Sequence, residues 1–240
     1  MSYIGNNKIG KVYLGNSEIA KAYLGDDLVF QNGGGPTPPT PTLVFYDYLY
    51  FDGTAYIDTT LVPPENASFR CNFGNETTKG AQRYFGAAAN GAATNLFLNN
   101  NTNSTNRNFT AYYQSSSSVV TSKTLAFSYP TFNFFLTPER IGIGASTYTF
   151  TGGANAHNGG IVFGSNSSHS GNPYTGRMTR FRVYGSDARG CTSYSDFDNY
   201  TPVYTIRPCT YNGEAGLWCE ETSQFFGNSA GSGTLTASDS

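Results

Sequence analysis

Ser68-Phe69-Arg70-Cys71-Asn72-Phe73 alternates polar and apolar residues at every step. That period of two marks a strand with one face in a core and the other in water. The same reading extends outward in both directions. Apolar or aromatic runs at 43–46, 48–51, 55–58, 84–85, 96–98, 109–113, 131–136, 141–143, 148–151, 161–163 and 180–184 are each bounded by Gly, Asn, Asp, Ser or Pro. Such punctuation separates short strands by turns. The 240 residues are 15% aromatic and 12% charged, with 28 Gly, and contain no long Ala/Leu/Glu/Lys-rich amphipathic stretch. Aromatic residues favour strands and Gly favours turns, so the chain reads as nearly all β. Many short antiparallel strands over residues 43–240 predict a two-sheet sandwich.

Residues 1–32 follow a different rule. Tyr3-Ile4-Gly5-Asn6-Asn7-Lys8-Ile9, Tyr13-Leu14-Gly15-Asn16-Ser17-Glu18-Ile19 and Tyr23-Leu24-Gly25-Asp26-Asp27-Leu28 repeat one pattern every ten residues. Gly-Asn and Gly-Asp accept the positive φ of tight turns, so each unit predicts strand, turn, strand. About 30 residues is below the size that makes its own core. Tyr3, Ile4, Ile9, Tyr13, Leu14, Ile19, Tyr23, Leu24 and Leu28 are therefore expected to pack on sister copies or a larger assembly. We read 1–32 as an anchor module. Residues 33–42, Gly33-Gly34-Gly35-Pro36-Thr37-Pro38-Pro39-Thr40-Pro41-Thr42, read as a linker, flexible then extended.

The charge pattern narrows the partners. A net charge of −2 argues against a nucleic-acid groove. Arg177, Arg180 and Arg182 form the one basic cluster and read as solvated strand positions split between two faces. Nothing approaches a membrane span, and the opening residues carry no secretory signal pattern, so a cytoplasmically made protein without membrane insertion is expected. Asn66, Asn75 and Asn108 begin glycosylation-type triplets, read as chance matches in that setting. Cys71, Cys191, Cys209 and Cys219 have no zinc-type spacing; Cys209 and Cys219 flank a short turn and are expected as reduced thiols.

Catalytic patterns are thin. Glu220-Glu221 point to opposite faces of a strand, and no Glu-x-Asp-x-x-Glu motif or Gly-x-Ser-x-Gly elbow is present. Asp52 beside Gly53 reads as a turn residue. His157 and His169, set among Gly, Asn and Ser, read as exposed loop residues. Trp218 reads as a packed core residue. The polar stretches 99–106, 114–118 and 164–172 are long for connectors and read as either solvated connections or a binding surface. For glycan binding they offer Asn101, Asn103 and Asn166, flanked by Tyr112, Tyr113 and Tyr174. Amide side chains suit sugar hydroxyls and aromatic rings suit a sugar's apolar face.

Two segments carry a resemblance. Tyr50-Phe51-Asp52-Gly53-Thr54-Ala55-Tyr56-Ile57-Asp58-Thr59 resembles the opening strand pair of concanavalin A-like, laminin G-like jelly rolls of phage and Bacteroidales proteins. Gly176-Arg177-Met178-Thr179-Arg180-Phe181-Arg182-Val183-Tyr184 resembles their late strand, followed by Arg207-Pro208-Cys209, Gly213-Glu214-Ala215-Gly216-Leu217-Trp218 and a closing stretch from Phe225-Phe226-Gly227-Asn228 to Leu235. The tandem Tyr-Leu-Gly-Asn/Asp units are similar to N-terminal segments of virion proteins from phages of gut Bacteroidales, crAss-like phages included. The resemblance implies a non-enzymatic virion protein, a head or tail fibre or capsid decoration. Residues 1–32 would join it to other virion proteins as a homotrimer, and a lectin-like head would meet host-surface glycan. The alternatives are a bacterial carbohydrate-binding surface protein and, less favoured, a glycoside hydrolase. No cofactor is expected, except the calcium ion this fold often carries, for which Asp52 or Asp58 would be the candidates.

Overall fold

The computed structural model describes residues 41–75, 82–89, 92–99, 106–113, 120–126, 131–149, 157–165, 169 and 173–239, and six short strands within 3–31. For those six strands and for residues 75, 88–89, 92–99, 106–112, 120–126 and 131, it describes the backbone alone. The chain divides into two units, Met1–Thr42 and Leu43–Ser240.

The first unit is three antiparallel hairpins. β1 (Tyr3–Ile4) pairs with β2 (Asn7–Lys8), β3 (Tyr13–Leu14) with β4 (Ser17–Glu18), and β5 (Lys21–Leu24) with β6 (Asp27–Gln31). The closing registers are Ile4↔Asn7, Leu14↔Ser17 and Leu24↔Asp27, and the predicted turn dipeptides between them lie outside the described residues. Side chains of this unit, all of Ile9 and Ile19, and linker residues 33–40 lie outside the described residues.

The second unit is a sandwich of two antiparallel sheets, the all-β two-sheet architecture that the sequence predicts. The smaller sheet runs β14 (Val120–Ala126), β13 (Asn106–Tyr112), β12 (Ala92–Asn99), β11 (Gln82–Ala89), β18 (His157–Phe163), β9 (Ile57–Asp58). The larger runs β17 (Ser146–Thr149), β16 (Arg140–Ile143), β15 (Thr131–Leu136), β10 (Ser68–Asn75), β20 (Phe181–Tyr184), β21 (Tyr204–Tyr211), β22 (Glu214–Cys219), β23 (Gln224–Phe226). β7 (Leu43–Phe45) joins it on β21, β19 (Thr175–Met178) on β10, β8 (Tyr48–Asp52) on β19, and β24 (Leu235–Ser238) on β8.

The core lies between the sheets. Phe69, Cys71 and Phe73 of β10 are all fully buried, as their alternation predicts. Phe69 meets Phe85 at 5.3 Å between ring centroids, Phe73 meets Tyr84 at 4.8 Å, and Phe181 meets Phe163 at 4.8 Å. Tyr84 and Phe85 are consecutive yet both reach this core. A register shift between Arg83 and Phe85 breaks the alternation there, which is what a bulge does. Each fully buried ring contributes roughly 1.5–3 kcal/mol relative to exposure.

A smaller cluster, Phe135, Tyr184, Ala188, Cys191 and Phe197, sits on the outer face of the larger sheet. Two 3-10 turns, Ser186–Gly190 and Ser195–Asn199, contribute Ala188 and Phe197, with Cys191 just after the first, and so cover part of that face. All four cysteines are free and buried, in keeping with reduced thiols. Cys219 lies in the main core and is paired in register with Ile206, whereas Cys209 pairs with Gly216. Burial pushes the Cys209 thiol up to about 12 and Cys191 up to about 11.

Asp52 is the turn residue the sequence suggests. Its Oδ1 accepts from the Thr54 backbone N–H, the Thr54 hydroxyl and the Ala55 N–H. Its Oδ2 accepts from the Thr234 N–H, tying the approach to β24 onto the end of β8. Gly53 follows with φ +89°, a conformation that favours glycine.

Candidate functional site: an arginine-lined cleft

Three chain paths change pairing partners at one place in the larger sheet. Along 43–52, β7 pairs with β21 and β8 with β19. Along 175–184, β19 pairs with β8 and β20 with β21. Along β21, residues 204–206 pair with β20 and 209–211 with β7. The exchanges fall at Tyr46-Asp47, Thr179-Arg180 and Arg207-Pro208. Where strands part, the ladder opens, and these three dipeptides line a cleft of about 280 Å³. Asn72, Arg182 and Tyr194 complete its lining.

Strand alternation selects those side chains. Phe69, Cys71 and Phe73 face the core, so Arg70 and Asn72 face outward. Phe181 and Val183 face the core, so Arg182 faces outward, in register with Arg70. Ile206 faces the core, so Arg207 faces outward beside Trp218. Arg180 precedes Phe181, whose partner is Ile206, which sets Arg180 next to Arg207.

The arginines differ in how they are held. Arg70 is 8% exposed, ion-paired with Asp198 at 2.6 Å and stacked over the Tyr194 ring at 4.0 Å. Those partners hold its guanidinium even more firmly protonated than usual, against the opposing effect of burial. Arg207 pairs with Glu220 at 3.0 Å and lies over the Phe45 ring at 4.0 Å. Arg180 and Arg182 make no ion pair among the described residues. Burial lowers the Arg180 pKa, and the neighbouring Arg207 and Arg182 lower it further. Asn72 Oδ1 accepts from the Tyr194 hydroxyl at 2.5 Å, so its amide NH2 remains a donor. Among the described residues, Asp47 is the one carboxylate lining the cleft. The site is rich in donors and net positive.

The residues predicted for glycan binding do not converge here. Tyr113 is 1% exposed, and its hydroxyl donates to the Ala67 carbonyl at 2.7 Å. Burial raises its pKa. Tyr174 is 0% exposed and donates to the Gly74 and Arg177 carbonyls at 2.5 and 2.7 Å. Both rings belong to the main core, so neither is a stacking platform. They reach it because each hydroxyl finds a backbone acceptor that lets the whole ring leave water. Asn101, Asn103 and Asn166 lie outside the described residues, and Tyr112 is described by backbone alone, at the end of β13.

Trp218 corrects the reading in the opposite sense. Leu217 and Cys219 are its core-facing neighbours, so the indole lies on the outer face, half-buried. Tyr211 stands 5.8 Å from it, and Phe225, its register partner, stands 5.4 Å from Tyr211. This aromatic row adjoins Arg207 and leads to the cleft. The alternation Leu217-Trp218-Cys219 was the signal that could have shown it.

The histidines also part company. His157 opens β18 and is half-buried, its ring edge-on to Phe69 and Tyr113, with Nδ1 3.2 Å from the Pro64 carbonyl. It is no exposed loop residue, and burial lowers its pKa. His169 is exposed, stacks on Tyr56 at 4.7 Å and pairs with Asp58 at 3.0 Å. Glu220 is taken by Arg207, and Glu221 accepts the Thr205 N–H at 2.6 Å. Among the described residues no cluster of three or more His, Cys, Asp or Glu is placed to hold a metal ion, and no helix is long and apolar enough to cross a membrane.

No protein-family model matches the chain, and no curated protein matches it. Solved structures do. Domains LG4-5 of the mouse laminin alpha1 chain match 58% of this chain and 41% of their own, at 11% identity and a TM-score of 0.41. A heptameric SAP-like pentraxin from Limulus polyphemus matches 68% of this chain and 93% of its own, at 11% identity and 0.44. A putative carbohydrate binding protein from Bacteroides ovatus matches 82% of this chain and 61% of its own, at 9% identity and 0.49. The matched part thus spans less than two thirds of the laminin and Bacteroides proteins.

Proposed function

We propose that this chain is a non-enzymatic display protein of a bacteriophage particle, with a lectin-like head that engages host-surface glycan. The observation that carries the reading is the joining of a tandem hairpin unit to a jelly-roll unit that has its own complete core. Three hairpins of two to five residues per strand bury little by themselves, so the unit needs a partner surface. A jelly roll needs none. Fastening is the task that such a division serves, and self-association as a trimer would supply part of the missing surface. Four carboxylates of the head favour binding over hydrolysis. Asp52, Asp198, Glu220 and Glu221 hold backbone or arginine partners, whereas glycoside hydrolysis uses a pair free to act on substrate.

The test is deletion of residues 1–32 in the phage. The expected result is a folded head that is absent from purified particles by mass spectrometry and monomeric by light scattering, where the full chain is present and oligomeric. Truncated protein on particles at wild-type level overturns the anchoring role. Absence of the full chain from every particle fraction overturns the virion assignment and favours the bacterial surface protein.

A further inference from the structure

We propose that the cleft at the strand-exchange point takes the oxyanion of an acidic sugar, a uronic-acid carboxylate or a sulfate ester. This rests on the reading of the head as glycan-binding and names the class of glycan.

The argument begins with charge. Arg180, Arg182 and Arg207 share one opening, and Asp47 alone among the described lining residues opposes them. Like charges held together destabilise a fold, and nothing in the packing requires Arg180 and Arg182: Arg180 is exposed and Arg182 half-exposed, whereas Arg207 is held by Glu220 and the Phe45 ring. Their neighbour Arg70 shows what a structural arginine looks like here, buried with a carboxylate and a ring. Arg180 and Arg182 have neither among the described residues. A planar guanidinium donates two parallel hydrogen bonds to carboxylate or sulfate oxygens, and the Asn72 amide adds a further donor.

The surroundings fit a sugar rather than a bare ion. The opening holds about 280 Å³, more than an inorganic anion fills. Beside Arg207 the outer face continues into Trp218, Tyr211 and Phe225, rings that suit the apolar face of a neighbouring sugar. An acidic residue seated on the arginines thus leaves the next residue of a chain over an aromatic row.

The experiment is a titration of the full chain, followed by NMR and calorimetry. The probes are methyl β-glucuronide, methyl glucoside 6-sulfate, neutral methyl β-glucoside and inorganic sulfate. One acidic sugar should bind at least about tenfold more tightly than the neutral glucoside, as charge-assisted bonds to arginine imply. It should also bind more tightly than inorganic sulfate, and added NaCl should weaken it. Which acid wins separates carboxylate from sulfate. Arg182→Gln, and separately Arg180→Gln, should abolish the preference without lowering the melting temperature. Equal binding of acidic and neutral sugars, a preference that survives both substitutions, or inorganic sulfate binding as well as the sugars overturns the proposal. Neutral sugars bound without preference would sink this site and leave the glycan-binding head standing. No binding of any sugar overturns both.

Discussion

The two faces of the larger sheet are built from the same strands and obey opposite rules. On β10 the inward residues are Phe69, Cys71 and Phe73, all inaccessible to water, and the outward ones are Arg70 and Asn72. On β20 and β21 the same step separates Phe181, Val183 and Ile206 from Arg182 and Arg207. Inward positions are chosen for volume and shape, so they report on the fold. Outward positions away from the Phe135–Tyr184 cluster are freer of that demand, and Arg180 and Arg182, gathered beside the paired Arg207, need an explanation outside packing. The contrast teaches where stability and binding should separate under mutation.

The sharpest break would come from one substitution on each face. Phe69→Ala removes a ring packed on Phe85 and Phe181 and should cost about 3–5 kcal/mol in denaturant unfolding. Arg182→Gln, across the same strand pair, should change stability by less than about 0.5 kcal/mol. Similar losses from the two would erase the distinction between the faces.

A middle-sized effect belongs to Tyr174, which sequence alone placed on the binding surface. Tyr174→Phe leaves the ring in place but takes the donor from the buried Gly74 carbonyl and the part-buried Arg177 carbonyl, and should cost about 1–3 kcal/mol. A neutral result would return this residue to the outer class.

The smallest effect is the pH dependence of His157. Burial lowers its pKa below the ordinary 6.5, so the unfolded chain binds this proton more readily than the folded one. Its contribution is complete above pH 6.5 and is lost as the pH falls from there through the lowered folded value. Melting temperature should therefore drop on acidification below 6.5, and His157→Asn should flatten that part of the curve. An unchanged profile in the variant would mean that the ring is not held against Phe69 and Tyr113 as described.

What could be read in the sequence depended on how local the cause was. The alternation of 68–73 and the strand pairs flanking the Gly-Asn and Gly-Asp dipeptides depend on neighbours in the chain, and both appear as expected. Asp52 was legible for the same reason. Polar neighbours of Tyr113 and Tyr174 suggest exposure, while the Ala67 and Gly74 carbonyls that accept their hydroxyls in the core lie 46 and 100 residues away. The cleft was invisible because Arg207 joins Arg180 and Arg182 only through strand pairing. Arg177, their sequence neighbour, stacks instead over the Tyr48 ring. Trp218 was legible and was misread, since the resemblance to a closing strand outweighed the alternation around it.

The pairing of β8 with β24 also sets a schedule. Asp52 and Thr234, joined by a hydrogen bond, are 182 residues apart in the chain. At ordinary rates of synthesis the first of them waits on the order of 10–40 s for the second. Throughout that interval β8 carries an open edge of unpaired backbone groups beside Phe51, an invitation to any other strand in reach. One edge of β8 thus stays exposed to mispairing until β24 is made, and a nascent chain stalled short of residue 235 should still be a form that chaperones hold.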